Sequence, residues 1–93
     1  MLIIAGHLVV DPQDRDAYVA ECVSIVEAAR DAPGCLDFSI TADSVDPARV
    51  RVFERWEDEA QMLAFRDAPG DGPEGEVVDA DVKRYGVASV GDP

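Results

Sequence analysis

The sequence predicts an α+β fold in which a four-stranded antiparallel sheet carries two helices on one face. Three observations carry that prediction. Strand-length apolar runs and stripes at helical spacing follow one another in the order β-α-β-β-α-β. The changes of pattern fall at Pro, Gly or Asp signals. The chain has 93 residues, which is room for one domain, expected over 1–93 with a loop at 69–79 and a tail at 91–93.

Residues 2–10 are rich in Ile, Leu and Val and end at Asp11-Pro12, which reads as a strand. Both of its side-chain sets are apolar, Leu2, Ile4, Gly6, Leu8 and Val10 on one face and Ile3, Ala5, His7 and Val9 on the other. Such a strand is covered on both faces. Asp11 as N-cap and Pro12 at the first position open a helix that runs to about Ala32, before Pro33-Gly34. Its stripe is Tyr18, Cys22, Ile25, Val26 and Ala29, widened by Val19 and Val23.

Residues 35–42 alternate, with Leu36, Phe38 and Ile40 against Asp37, Ser39 and Thr41. Residues 50–56 form a second alternating strand, and the polar turn between them makes a hairpin. Asp58 caps a short second helix whose stripe is Ala60, Leu63 and Ala64, with Met62 and Phe65 beside it. Residues 69–76 are a loop, and a last strand over roughly 80–90 carries Val82, Tyr85, Val87 and Val90.

Right-handed crossovers turn this order into a ferredoxin-like arrangement. Two helices cover one sheet face only, while the first strand is apolar on both. Packing the open face against a second copy resolves the mismatch, and a two-fold dimer is the commonest closed assembly.

Twenty acids against eight bases give a net charge of −12, which repels nucleic-acid phosphates and anionic membrane surfaces. The N-terminal apolar run is too short to span a bilayer and lacks a basic region, so a cytoplasmic protein is expected. Cys22 and Cys35 then stay reduced, as small buried hydrophobes. Metal spacings are absent, and GDGPEG follows a helix and carries Asp71, Glu74 and Glu76 around it, so it is no phosphate cradle.

Three residues have two readings each. His7, the one side chain whose ordinary pKa lies near neutrality, is either a general base or hydrogen-bond donor in a pocket, or a structural histidine on the sheet face or subunit contact. Tyr85 is a core or interface residue, or a ligand contact. Trp56, where the third strand meets the second helix, is a core plug or one wall of a flat-ligand pocket.

The segment PGCLDFSITADSVDPARVRVFERWEDEAQMLAFR resembles the core of the antibiotic biosynthesis monooxygenase family, of the dimeric α+β barrel superfamily. Pro33-Gly34-Cys35, Phe38, the Asp46-Pro47 turn and Glu54-Arg55-Trp56 with its following acids carry the likeness. The resemblance implies a homodimer with one helix–sheet cavity per subunit and, in some members, oxidation of phenols without metal or flavin. For a monooxygenase acting on such a phenol, His7 is the expected deprotonating group or a stabiliser of the phenolate, Trp56, with Phe38 and Phe65 as lesser candidates, the apolar wall, and Tyr85 or Arg66 the partner of a substrate oxygen. Haem-degrading relatives carry an iron-binding histidine in the second helix, and AQMLAFRDAPG has none. A non-catalytic dimeric binding or housekeeping protein and a small-molecule isomerase or lyase are the rival expectations. An enclosed pocket holding His7 and Trp56 favours ligand handling, and a gap filled by Met62, Phe65 and Tyr18 favours the structural reading.

Overall fold

A computed structural model describes residues 1–70, 72–73 and 75–93. Asp71 and Glu74, two of the acids expected in the loop, lie outside the described residues. The elements are β1 (Leu2–Val10), α1 (Arg15–Glu21), α2 (Val23–Asp31), β2 (Cys35–Ala42), β3 (Arg49–Trp56), α3 (Glu59–Asp67) and β4 (Val77–Gly86). The strands form one antiparallel sheet in the order β2-β3-β1-β4, the ferredoxin-like topology.

Period-two alternation sorts β1 cleanly. Leu2, Ile4 and Val10 are buried and Leu8 packs beside them, so this set faces the helices. Ile3, Ala5, His7 and Val9 therefore face the uncovered side. Gly6 has φ +153, and a Cβ there would collide with the carbonyl oxygen of Asp81 in β4. Only glycine permits that approach between neighbouring strands.

The first helix begins later than expected. Asp11 to Asp14 form a turn, with the Gln13 N–H donating to Asp11 Oδ1 at 2.9 Å, and the α-helix starts at Arg15. The helix is also interrupted. The Cys22 N–H is shared between the Tyr18 and Val19 carbonyls, and helical pairing resumes from Val26 to the Cys22 carbonyl. Tyr18, Cys22 and Ala29 are buried as the stripe predicts, but Val23 turns to solvent at 51% exposure.

The Asp43–Ala48 turn is held by carboxylates. Asp43 Oδ2 accepts from the Val45 and Asp46 N–H groups at 3.1 and 2.8 Å, which lowers its pKa. Arg15 donates to the Asp43 and Asp46 carbonyls, tying α1 to the hairpin. A bulge between Cys35 and Asp37 turns Leu36 out of the apolar face of β2. Cys22 is buried as expected; Cys35 is only partly so.

Asp58 caps α3, its carboxylate accepting the Gln61 N–H at 2.8 Å. The inward residues of α3 are Met62 and Phe65, whereas Ala60, Leu63 and Ala64 face out. β4 starts at Val77, earlier than the expected 80, and ends at Gly86. Val90 lies beyond it and is exposed.

Candidate active site

Trp56 ends β3 on the helix-facing side and is fully buried. Its ring lies 5.6 Å from that of Phe65 of α3, which meets Phe38 of β2 edge-on at 5.9 Å. Three aromatic rings from three elements thus form one cluster with Leu2, Ile4, Ala29 and Met62.

Beside Phe65 opens a cleft of about 430 Å³ between α2 and α3. Ser24, Ile25 and Ala28 of α2 form one wall, Phe65 and Arg66 of α3 the other, and residues 68–70 and 72 close an end. The volume is in the range of small-molecule sites. The lining is apolar apart from the Ser24 hydroxyl and the Arg66 guanidinium. Arg66 makes no ion pair among the described residues, and it also borders a second, smaller cleft, of about 290 Å³, between α3, Ile4 and β4.

A partly buried acid lies on this side of the sheet. Glu54 shares its strand face with Val50 and Trp56, both wholly buried, and lies opposite Phe38 on β2 and Ile4 on β1. The Trp56 indole Nε1 donates to Glu54 Oε1 at 3.0 Å. Burial raises the Glu54 pKa above the ordinary carboxylate value, while the indole hydrogen bond and the Arg66 charge act in the opposite direction. Burial likewise pushes up the Cys22 and Cys35 thiols, which disfavours their nucleophilic thiolate forms.

The residues singled out in the sequence divide into two groups. Trp56, Phe38, Phe65 and Arg66 share the helix side of the sheet. His7 and Tyr85 lie on the other face, His7 in register with Arg51 and Asp81, and Tyr85 in register with Ile3. Within one chain the sheet separates His7 from Trp56. Tyr85 is 53% exposed, so it is not a core residue of the single chain. Neither Trp56 nor His7 lines the α2–α3 cleft; Phe65 does, with Trp56 behind it. Glu54 was not singled out, although a signal was present: it is the one acid in the set Val50, Val52, Glu54, Trp56.

Among the described residues no cluster of His, Cys, Asp and Glu is arranged to hold a metal ion. The residues of α3 include no histidine, and the histidine of β1 faces away from the cleft, so this chain offers the cleft no imidazole for haem iron.

Fold and site together define a ferredoxin-like α+β protein with a ligand-sized, arginine-bordered cleft between its helices. The description of the antibiotic biosynthesis monooxygenase family matches residues 1–70, and the chain belongs to that family. A candidate antibiotic biosynthesis monooxygenase from Deinococcus radiodurans superposes with a TM-score of 0.84 at 20% identity, over 100% of this chain and 98% of that one. A second such protein, from Nitrosomonas europaea, gives 0.80 at 16% identity, over 96% and 100%. The heme-degrader MhuD of Mycobacterium tuberculosis, solved with two hemes in its active site, gives 0.71 at 17% identity, over 98% and 100%. At these identities the likeness is one of fold. An uncharacterised Synechocystis protein is 26% identical over 61 residues, 66% of this chain, and the chain's match spans 42% of that protein's length.

Proposed function

We propose that the chain is a monooxygenase acting without metal or flavin on a small phenol- or hydroquinone-like aromatic. The observation that carries this reading is the α2–α3 cleft, where Phe65, backed by Trp56 and Phe38, presents an aromatic wall beside the Arg66 cation. A flat ring lies against Phe65, and its oxygen meets the Arg66 guanidinium. In the reaction the substrate supplies the electrons. One oxygen atom of dioxygen enters the ring, the other leaves as water, and a phenol becomes a quinone. The protein's part is to hold the substrate as its anion, oriented and shielded from water.

His7 and Tyr85 sit on the open sheet face, and the proposal assigns them to the contact with a second copy in a homodimer. This places His7 among interface residues and gives the proton-accepting role to the helix side of the sheet.

Oxygen uptake with a panel of phenols and hydroquinones tests the reading. Uptake with at least one compound is expected, with product quinone, and Arg66→Gln and Phe65→Ala should each reduce it by about 10-fold or more. Compounds that bind without oxygen uptake would favour the rival reading, a non-catalytic binding protein. That rival has its own support: Met62 and Trp56 fill the space beneath α3, and the cleft contains neither Trp56 nor His7. A product isomeric with the substrate, formed without oxygen, would indicate an isomerase.

A further inference from the structure

We propose that the cleft between α3 and β4 is a binding site for a small organic carboxylate. The acid group lies between Arg66 and Arg84, and the apolar body rests on Ile4, Met62 and Val82. This site shares Arg66 with the α2–α3 cleft but no other residue, and it does not depend on the oxygenation proposed above.

Two periodicities bring the arginines together. On β4, Arg84 is in register with Ile4 and Val82 with Gly6, so both belong to the side-chain set that faces the helices. On α3, Arg66 follows Met62 by four residues and Leu63 by three, which places it on their face of the helix. That helix face and that strand set line one cleft of about 290 Å³. Its floor is the core itself, since Ile4 and Met62 are buried and Val82 packs against them. Leu63 also lines the cleft and keeps 41% of its surface exposed, apolar area that the body of a ligand would cover.

Charge is the second observation. With twenty acids and eight bases, the chain as a whole repels anions. This cleft reverses the balance, because its lining includes three bases and no acid. Lys83 belongs to the opposite side-chain set, in register with Ala5, and its ammonium pairs with Asp81 at 3.3 Å, so the two arginines carry the recognition. Arg84 Nη1 meets Glu59 Oε1 at 3.0 Å, in a pair whose side chains are each 55% exposed. An exposed pair of that kind contributes little, and a guanidinium has five N–H donors, so Arg84 can offer a second edge to a ligand. A planar guanidinium suits the two oxygens of a carboxylate. An inorganic anion would use the arginines and leave the apolar floor bare, and an apolar molecule would do the reverse. An organic acid uses both.

The probe is hexanoate, which has an acid and an apolar body but no ring to lie on Phe65. Hexanamide is its neutral counterpart, and inorganic phosphate supplies charge alone. In amide NMR spectra of the full chain, hexanoate should shift the signals of residues 62–66 and 82–84. Hexanamide and phosphate should each bind about 10-fold or more weakly. Arg84→Gln lies outside the α2–α3 cleft. It should weaken hexanoate binding about 10-fold or more and leave the binding of phenols unchanged. Should R84Q not fold, Leu63→Glu decides: it sets an acid in the lining from an exposed helix position and should weaken hexanoate by a similar factor. Equal binding of hexanamide, or unchanged hexanoate affinity in the variant, overturns the inference, and so do shifts confined to the α2–α3 cleft. Phosphate binding as tightly as hexanoate overturns the assignment to an organic acid. The proposed function survives each of these results, because it is tested by oxygen uptake.

Discussion

At the scale of single residues, Glu54 couples the interior to pH. Its carboxyl is disfavoured as an anion by burial, and the Trp56 hydrogen bond and Arg66 only partly compensate. The native state thus holds this proton more tightly than the unfolded chain. The stability it contributes is fully present below the unfolded pKa and is lost as pH rises through the raised native value. Glu54→Gln removes that dependence. Thermal melts across the acidic to neutral range should coincide at the low end, with the variant the more stable at neutrality. Parallel curves would mean that Glu54 titrates as it does in water. The direction is unusual for a carboxylate and opposite to that of Asp43, which is stabilised as an anion by two backbone N–H groups.

At the scale of elements, the caps show which local signals decide. Asp58 accepts the Gln61 N–H, whereas Asp14, at the corresponding place before α1, makes no side-chain cap bond. Asp58→Ala should therefore cost about 1 kcal/mol in urea unfolding and Asp14→Ala within about 0.5 kcal/mol. The same contrast explains what was legible in the sequence. β1, β2, β3 and the Asp58 cap were readable because alternation and capping are local codes. The interruption at Cys22 was not, since no Pro or Gly marks it. The outward turn of Leu36 was hidden for a similar reason: it follows from a bulge set by pairing with β3, a tertiary matter. On α3, nine residues carry too few apolar positions to orient a stripe, and tertiary packing selected Met62 over Leu63. Of the site, the aromatic residues were legible by type and Arg66 by its helix. Glu54 was lost among twenty acids, and the separation of His7 from Trp56 depends on strand register, which one sequence does not disclose.

At the scale of the whole molecule, one face of the sheet carries no helices, and the homodimer proposed above would cover it. A monomer of this mass is expected to expose about 5,200 Å², yet this chain exposes 6136 Å², roughly 900 Å² more. Its radius of gyration is 13.6 Å against about 12 Å for a compact chain of this length. Residues 88–93, exposed beyond the last strand, contribute to the excess. The uncovered face runs in rows across the sheet: Asp37, Arg55, Ile3 and Tyr85; then Ser39, Phe53, Ala5 and Lys83; then Thr41, Arg51, His7 and Asp81. An apolar centre of Ile3, Ala5 and Phe53 is thus flanked by bases on β3 and, on β4, by Asp79 and by Asp81, which pairs with Lys83 at 3.3 Å. A two-fold axis through that centre would bring the apolar patches of two copies together, which supports the homodimer proposed above. Ile3→Asp places a charge at the centre of the apolar patch while leaving the helix-side core untouched. Sedimentation velocity at micromolar concentration should show wild type as a dimer and the variant shifted to single chains. A wild-type chain that sediments as a folded monomer would remove the second copy, and with it the role assigned to His7 and Tyr85.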